Sequence, residues 1–554
     1  FTSHHKNLKA DNDNETQVPY KICSFDIEAS SSHGDFPLPK KTYKKLAGNI
    51  VHLMNKWQKT GEFNMACEEF LKSCIRVAFF PAHENMSEID PYNVRNIIDP
   101  IYVKGGNSLT FEHVHELINV LLKKQMREVR KQGDSSIEKY LTAASAAESL
   151  NLDGQTDDFS ASSYRAALKS KHRESTIVDM LVSKDLTTED KIEQLDRTLT
   201  NIFPGVNGDK VTFIGSTFTR FGEDKPYLNH CAVLDTCTEL PNLENSQIDS
   251  YKTEKEVLLA WTKLIQRENP DIIIGYNIFG FDYSFMFVRA QELKCAAEFL
   301  MMSRNRGEMC GKRDFDSGQI CIEESSIVIA SGQHDLHFIK MQGRLQVDLY
   351  NYFRRRVNLE QYKLDYVAGH FIGDMVKSVE DTQNKPDYEN VSSSFKITSK
   401  NLAGLRAFDF VSFEIIDHTS DKFEDGVKFQ VQSVDKESCS FTIESNSSTM
   451  DRLRKNRTIR WCLAKDDVTP QDIFRLTNQG ADERAIVAKY CIQDCNLVYE
   501  LLKKIDIMTE FVEMANLCSV PINFLVMRGQ GIKLTSYIAK KCREKGTLMP
   551  VIEK

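Results

Sequence analysis

The chain has 554 residues, 41% of them hydrophobic and 27% charged, with a net charge of −8. This is a globular composition, long enough for several domains at ~100–200 residues each. No run of about 18 apolar residues occurs, so no membrane-spanning helix is expected, and the acidic balance argues against non-specific nucleic-acid binding over the whole surface. The 14 cysteines form no CxxC pair, so neither a zinc site nor a disulfide scaffold is indicated. Buried thiols in a reducing compartment are expected instead. The chain starts at Phe1 without an apolar leader, and is expected to be a fragment of a protein that is not secreted.

Residues 20–28 (YKICSFDIE) are predicted to be a strand. Its Asp26 and Glu28 are two apart, so both carboxylates project from one face. Such a pair is common on solvated strands, but the flanks here are apolar. Like charges held side by side repel unless they are exposed or a cation lies between them. A loop follows, Ser30 to Pro39, which contains Phe36. Residues 40–208 read as a helical insertion, with helical runs at His113–Arg130 and Ser175–Ile202. The small, polar, acidic stretch 143–163 reads as a mobile linker.

Lys210–Phe221 and Asn229–Asp235 read as strands joined by a turn, and Thr253–Glu268 as an amphipathic helix. Asp271–Asp282 (DIIIGYNIFGFD) is the pivot of the chain. Three isoleucines suit a strand covered on both faces, Gly275 and Asn277 stop it, and helical spacing resumes at Phe281. Asp282 therefore stands in the first turn of a helix at the carboxyl edge of a sheet, where the helix dipole favours an anion and α/β folds place their chemistry. An ordinary helix-starting Asp would look the same.

Val347–Gly369 reads as helical and carries Arg354, Arg355 and Arg356, either a phosphate contact or a solvated face. Residues 405–448 alternate as strands do, within a small β insertion spanning 374–465. Arg452–Arg460 is the most basic run, either a DNA-facing edge or a charged loop. Arg484–Ile507 is a helix on which Tyr490 and Asp494 share a face, one turn apart. Cys491 and Cys495 have the same spacing, which suits metal ligation or, more simply, two buried thiols. A final helix is predicted at 532–545, after Arg528-Gly529-Gln530-Gly531.

Taken in order, these pieces resemble the proofreading exonuclease of family B DNA polymerases, of the delta-like and large-DNA-virus branch. The resemblance rests on Phe25-Asp26-Ile27-Glu28, on Tyr276-Asn277-Ile278-Phe279-Gly280-Phe281-Asp282 and on Tyr490-Cys491-Ile492-Gln493-Asp494-Cys495. The phrases P-D-I-I-I-G-Y-N, residues 342–373, and R-G-Q-G-I-K with L-M-P-V in 520–551 also look like that family. The two long insertions are more similar to giant-virus polymerases than to cellular ones. The polymerase motifs D-x-x-S-L-Y-P-S and Y-G-D-T-D are missing, so the chain looks like the middle of a polymerase that should not itself synthesise DNA.

The resemblance implies a ribonuclease-H-like mixed sheet: the exonuclease strand and loop at 1–39, its core at 209–373 and its last helix at 466–519. Residues 520–554 would begin the approach to the palm. It implies that Asp26, Glu28, Asp282 and Asp494 hold two Mg²⁺ ions, which Mn²⁺ can replace; oxygen-only ligands suit such hard cations. Tyr490 would orient the attacking water, and hydrolysis of the 3′-terminal phosphodiester would release a nucleoside monophosphate. Phe36, Asn277 and Phe281 would touch the frayed DNA end. Expected partners are primer-template DNA and, through the missing part, a sliding clamp, with no membrane. The expected setting is a virus factory in the host cytoplasm, or the nucleus. A stand-alone exonuclease of the same type and an inert nuclease-fold module are the competing readings.

Overall fold

The structure, a computed structural model, describes residues 4–7, 9, 18–31, 36–60, 67–83, 85–104, 109–126, 175–241, 243–329, 332–382, 392–456, 458–465 and 468–549. The predicted linker at 143–163 lies outside them. The chain divides into two compact units, Lys40–Gly208 and Phe1–Pro39 with Asp209–Lys554.

Lys40–Gly208 is helical around its own core, in which Leu46, Ile50, Phe70, Ile75, Ile118, Leu195 and Leu199 are buried. The expected helix at 113–130 is Phe111–Lys123, followed by a two-residue strand, Gln125–Met126, that pairs with Ser175–Thr176. The run at 175–202 breaks into Ile177–Val182 and Thr188–Ile202. Each of these helices starts at a Thr–Asp capping box, Thr176 with Asp179 and Thr187 with Asp190. The second box ends any continuous helix, because its Thr must leave helical geometry to cap the next one.

In the other unit a six-stranded mixed sheet carries the remaining elements. Its strands are β1 (Lys21–Ser30), β2 (Lys210–Arg220), β3 (Leu228–Leu234), β4 (Ser246–Tyr251), β5 (Ile272–Gly275) and β6 (Leu345–Asp348). They lie in the order β6-β5-β1-β2-β3-β4. β1 and β2 are antiparallel, as are β2 and β3, whereas β5 runs parallel to both β1 and β6. The three isoleucines of β5 are buried, as a strand covered on both faces requires. Helix α1 (Glu254–Glu268), capped by Thr253, buries Val257, Leu258, Trp261, Leu264 and Ile265. Helix α2 (Asp282–Glu292) follows β5.

One sequence expectation is corrected here, and one strand is new. Val347–Gly369 is not one helical stretch: it opens on β6, the sheet edge, and continues as α3 (Leu349–Arg356) and α4 (Leu364–Phe371). β4 was not foreseen, because its sequence SQIDSY is polar and buries only Ile248.

Between Gly373 and Ala464 the chain builds a second sheet. The strands Gly373–Asp381, Ser392–Ser399, Phe410–Ile416, Phe429–Asp435, Ser440–Asn446 and Ile459–Ala464 pair in a closed ring, with Ser420–Lys422 added at one strand. Closure removes open edges. The ring's interior holds Phe395, Ile397, Val411, Phe413, Val431, Phe441, Ile443 and Trp461, all buried. The long helix α5 (Ala481–Lys504) then crosses the first sheet beside β1 and β2. Helices α6 (Ile507–Cys518), α7 (Ile522–Met527) and α8 (Gln530–Glu544) end the described chain.

Candidate active site

β1 presents Asp26 and Glu28 on one face, opposite Gly215 and Phe213 of β2. A bulge at Glu28/Ala29 follows the pair. Helix α5 packs over them because Gly215 has no side chain: a Cβ there would lie 2.8 Å from Cys491 Sγ and 3.1 Å from the Cys491 carbonyl oxygen. The approach puts Cys491 Sγ 3.6 Å from the Asp26 carbonyl oxygen. One ligand atom each from Asp26, Glu28 and Cys491 falls within 4.8 Å of the others. Cys491 is buried, and hydrogen bonds from Cys231 and then Cys495 hold its thiol below the usual range.

Asp282 stands at the start of α2, 3% exposed, and its Oδ1 has no hydrogen-bond partner among the described residues. Burial raises its carboxyl to about 8. Asp494, on α5, is raised to about 6 by burial and partly restored by Lys465. Asp26 is raised by burial and then by the charges of Asp282, Cys491 and Asp494. Glu28 is raised by burial, Cys491 and Asp494, against a pull from Lys465. Asp26, Glu28, Asp282 and Asp494 thus form one electrostatic unit that resists full ionisation without added positive charge. The orphaned Asp282 oxygen and the mutual repulsion both fit a hard divalent cation, and the donor set is dominated by oxygen.

Lys465 was not foreseen. It follows the last strand of the ring, in a short charged stretch, and only the tertiary fold shows its partner. Its Nζ lies 2.6 Å from Asp494 Oδ2 and 4.4 Å from the centre of the Tyr490 ring. Burial lowers the lysine's affinity for its proton, but Asp494 and Tyr490 outweigh that, so it stays charged. Tyr490 is 8% exposed, and burial followed by the Asp494 charge raises its phenol above the usual range.

Asp348 was also missed, hidden in a stretch read as helix. It ends β6, 1% exposed, and accepts from the amides of Asn277 (2.8 Å), Phe279 (3.1 Å) and Tyr350 (3.0 Å) and from Asn351 Nδ2 (3.0 Å). It therefore braces the turn between β5 and α2. Within that turn Asn277 is left-handed, at φ 65°, a conformation Asn tolerates. A Cβ on Gly280 would come within 2.3 Å of Asn277 Oδ1.

The loop after β1 is also pinned. Arg289 pairs with Glu254 at 2.7 Å, both buried, and donates to the Pro39 carbonyl at 2.9 Å. Leu38 and Asp209 exchange hydrogen bonds of 2.8 Å, from the Leu38 amide to the Asp209 carboxylate and from the Asp209 amide to the Leu38 carbonyl. Phe36, 73% exposed, thereby meets Phe281 edge-on, with ring centres 5.5 Å apart, and Phe281 meets Phe285 at 5.2 Å. Beside the carboxylates a cleft of about 800 Å³ opens between Tyr276, Asn277, Arg354, Lys363, Lys465 and Tyr490. Arg452, Arg454 and Arg460 are not a free basic edge. They pair with Glu424 (2.7 Å), Asp451 (3.1 Å) and Glu414 (3.1 Å).

Residues 187–367 match the family model described as DNA polymerase family B, exonuclease domain. A DNA polymerase of Phaeocystis pouchetii virus is 38% identical over 562 residues, covering 100% of this chain and 52% of that protein. A DNA polymerase of Pyramimonas orientalis virus is 32% identical, covering 97% of this chain and 38% of that protein. The DNA polymerase delta catalytic subunit of Oryza sativa is 27% identical, covering 63% of this chain and 22% of that protein. The chain spans about half the length, or less, of the curated relatives it matches.

Proposed function

We propose that this chain is part of a family B DNA polymerase, whose exonuclease-domain model matches residues 187–367, and that it removes nucleotides from the 3′ end of DNA. The whole protein would be a replicative DNA-directed DNA polymerase, and this part its proofreader. The single observation that carries the proposal is the electrostatic union of Asp26, Glu28, Asp282 and Asp494 beside Tyr490. The sheet order and the hairpin sequence β1-β2-β3 support a ribonuclease-H-like core. Alignment along the whole chain with viral DNA polymerases favours this reading over a stand-alone exonuclease or an inert module.

Asp26, Glu28, Asp282 and Asp494 would hold divalent cations, Mg²⁺ or Mn²⁺. Ions held there would supply the lowered water pKa and the charge neutralisation that in-line phosphodiester hydrolysis needs. Tyr490, with its phenol kept protonated, donates a hydrogen bond and so aims a water without acting as a base. Lys465 holds Asp494 and Tyr490 together and offsets charge near the scissile phosphate. Phe36 and Phe281 form an aromatic ledge for the terminal base. Stacking contributes ~1–3 kcal/mol per base and is indifferent to sequence, which suits a site that must accept any mismatch. Asn277 lines the cleft next to it. Selection of errors follows from fraying, since a mispaired end costs less to unpair.

The test is degradation of a 5′-labelled single-stranded oligonucleotide in Mg²⁺. The chain is expected to produce a ladder from the 3′ end, and Asp26→Ala with Glu28→Ala to produce none. Equal ladders from both would overturn the assignment.

A further inference from the structure

The arginine triplet of α3 and the Arg528-Gly529-Gln530-Gly531 segment that opens α8 meet in the fold. They enclose a cavity of about 270 Å³, whose lining includes Arg355, Arg356, Arg528, Gly529, Gln530 and Lys533. Helix α8 starts there on Gly529, with no side chain capping it and no acidic residue in its first turn. Its 15 residues give the end a partial positive charge and leave free amides.

The cations around this cavity outnumber their partners. Arg356 is neutralised by Glu510 at 2.7 Å, and Glu510 also accepts from the Tyr352 hydroxyl at 2.5 Å. The Asp348 carboxylate faces the same cavity but already accepts four hydrogen bonds from the turn it braces. Arg355 uses Nη1 on the Val526 carbonyl at 2.8 Å, while its Nη2 is buried without a partner among the described residues. Lys533 is 8% exposed, and its ammonium makes no hydrogen bond or ion pair among the described residues. Among the described residues the Arg528 guanidinium leans on the Phe524 ring, at 4.4 Å, and has no acidic partner. Burial, then the charge of Arg356, makes both Arg355 and Lys533 weaker cations than usual. A buried, unpaired ammonium and an orphaned guanidinium nitrogen are costly in a folded chain. They are what a resident anion would relieve.

We propose that this cavity is a phosphate pocket, separate from the carboxylate site, which takes one phosphodiester of the nucleic-acid strand. Arg355 and Arg528 offer planar forks that match phosphate oxygens, Lys533 adds a point charge, and the α8 amides add neutral donors. Arg354 lines both this pocket and the cleft beside the carboxylates, so one strand would run from one to the other along α3. The strand reading rests on the exonuclease proposal above, whereas the anion chemistry of the pocket does not.

The test is fluorescence anisotropy of a single-stranded oligonucleotide without divalent cation, so that no cutting is needed. Arg528→Ala with Lys533→Met is expected to weaken binding about tenfold and to reduce the slope of log affinity against log salt by ~0.7 for each phosphate no longer neutralised. Lys533→Arg alone should keep wild-type binding. A methylphosphonate at one linkage should weaken wild-type binding and leave the double variant unaffected. The double variant sheds crowded charge, so it should melt at or above the wild-type temperature; weaker binding by a variant that melts lower would count against the pocket. Identical affinity and salt slope in both proteins would overturn the proposal. So would inorganic phosphate raising the wild-type melting temperature while oligonucleotide binding ignores the double variant, since that marks a site for free anions. Hydrolysis in Mg²⁺ is scored separately: a chain that binds through the pocket but never cuts keeps this proposal and loses the exonuclease one.

Discussion

At Lys465 a single ammonium serves both Asp494 and Tyr490, so replacing it tests the charge balance of the whole cluster. Without it, the Asp494 carboxyl rises further above about 6. Lys465→Met is therefore expected to lower exonuclease activity and Mg²⁺ affinity by ~10–100-fold, the usual cost of removing a group that supports metal ligands. Its pH–activity curve should move upward, because a higher pH is then needed to ionise Asp494. Mg²⁺ titration calorimetry with a pH–rate profile checks both. An unchanged profile would mean that the lysine acts only as packing. At Asp348 the expectation concerns stability. Asp348→Ala leaves the buried amide of Phe279 and the half-buried amide of Asn277 without an acceptor, at ~1–3 kcal/mol for the buried one, whereas Asp348→Asn keeps one acceptor oxygen and should cost less. Urea denaturation of the two variants gives the comparison.

The packing of helix α5 on β2 sets the distance between Asp494 and the carboxylates of β1. Gly215→Ala would push a methyl group into Cys491, and the backbone carbonyl behind it cannot rotate away. Overpacking of this kind costs ~1–3 kcal/mol. The expected result is a fold that survives with activity reduced more than tenfold, measured as single-turnover hydrolysis alongside the melting temperature. The elements that meet here were legible in the sequence for local reasons. Residues two apart on a strand must share a face, three isoleucines in a row suit a buried strand, and Tyr490 and Asp494 are one helical turn apart. The elements that were missed depend on partners far along the chain. β6 carries too short an apolar signal to separate from the helix after it, and β4 is a polar edge strand. Asp348 shows its purpose only when the turn at Asn277 comes to rest on it. Lys465 looks like any surface lysine until α5 brings Asp494 alongside. The arginines at 452–460 left two readings open, since nothing local to Arg452 or Arg460 announces Glu424 or Glu414 as partners.

For the molecule as a whole, the crowded carboxylates tie stability to pH. Asp282 is raised to about 8, and Asp348 and Asp494 to about 6, in each case first by burial. The folded chain therefore holds these protons more tightly than the unfolded chain, whose carboxylates titrate near ~4. Their contribution is present in full below that range and is lost as pH rises through about 6 and then about 8. With a chelator present, the wild type should lose more stability between pH 5 and pH 8.5 than Asp282→Asn does, by denaturant midpoint. Added Mg²⁺ should restore the wild type at the upper end, because a ligand that binds only the folded state stabilises it. Parallel curves for the two proteins in chelator would remove Asp282 from the buried cluster.

The closed ring of strands between Gly373 and Ala464 bears on how this architecture can be altered. Its final strand ends one residue before the lysine that grips Asp494. An engineer who trims the ring to a short linker would set that ammonium adrift, however intact the six-stranded sheet remained. Any such shortening must re-create the exit trajectory of the last strand.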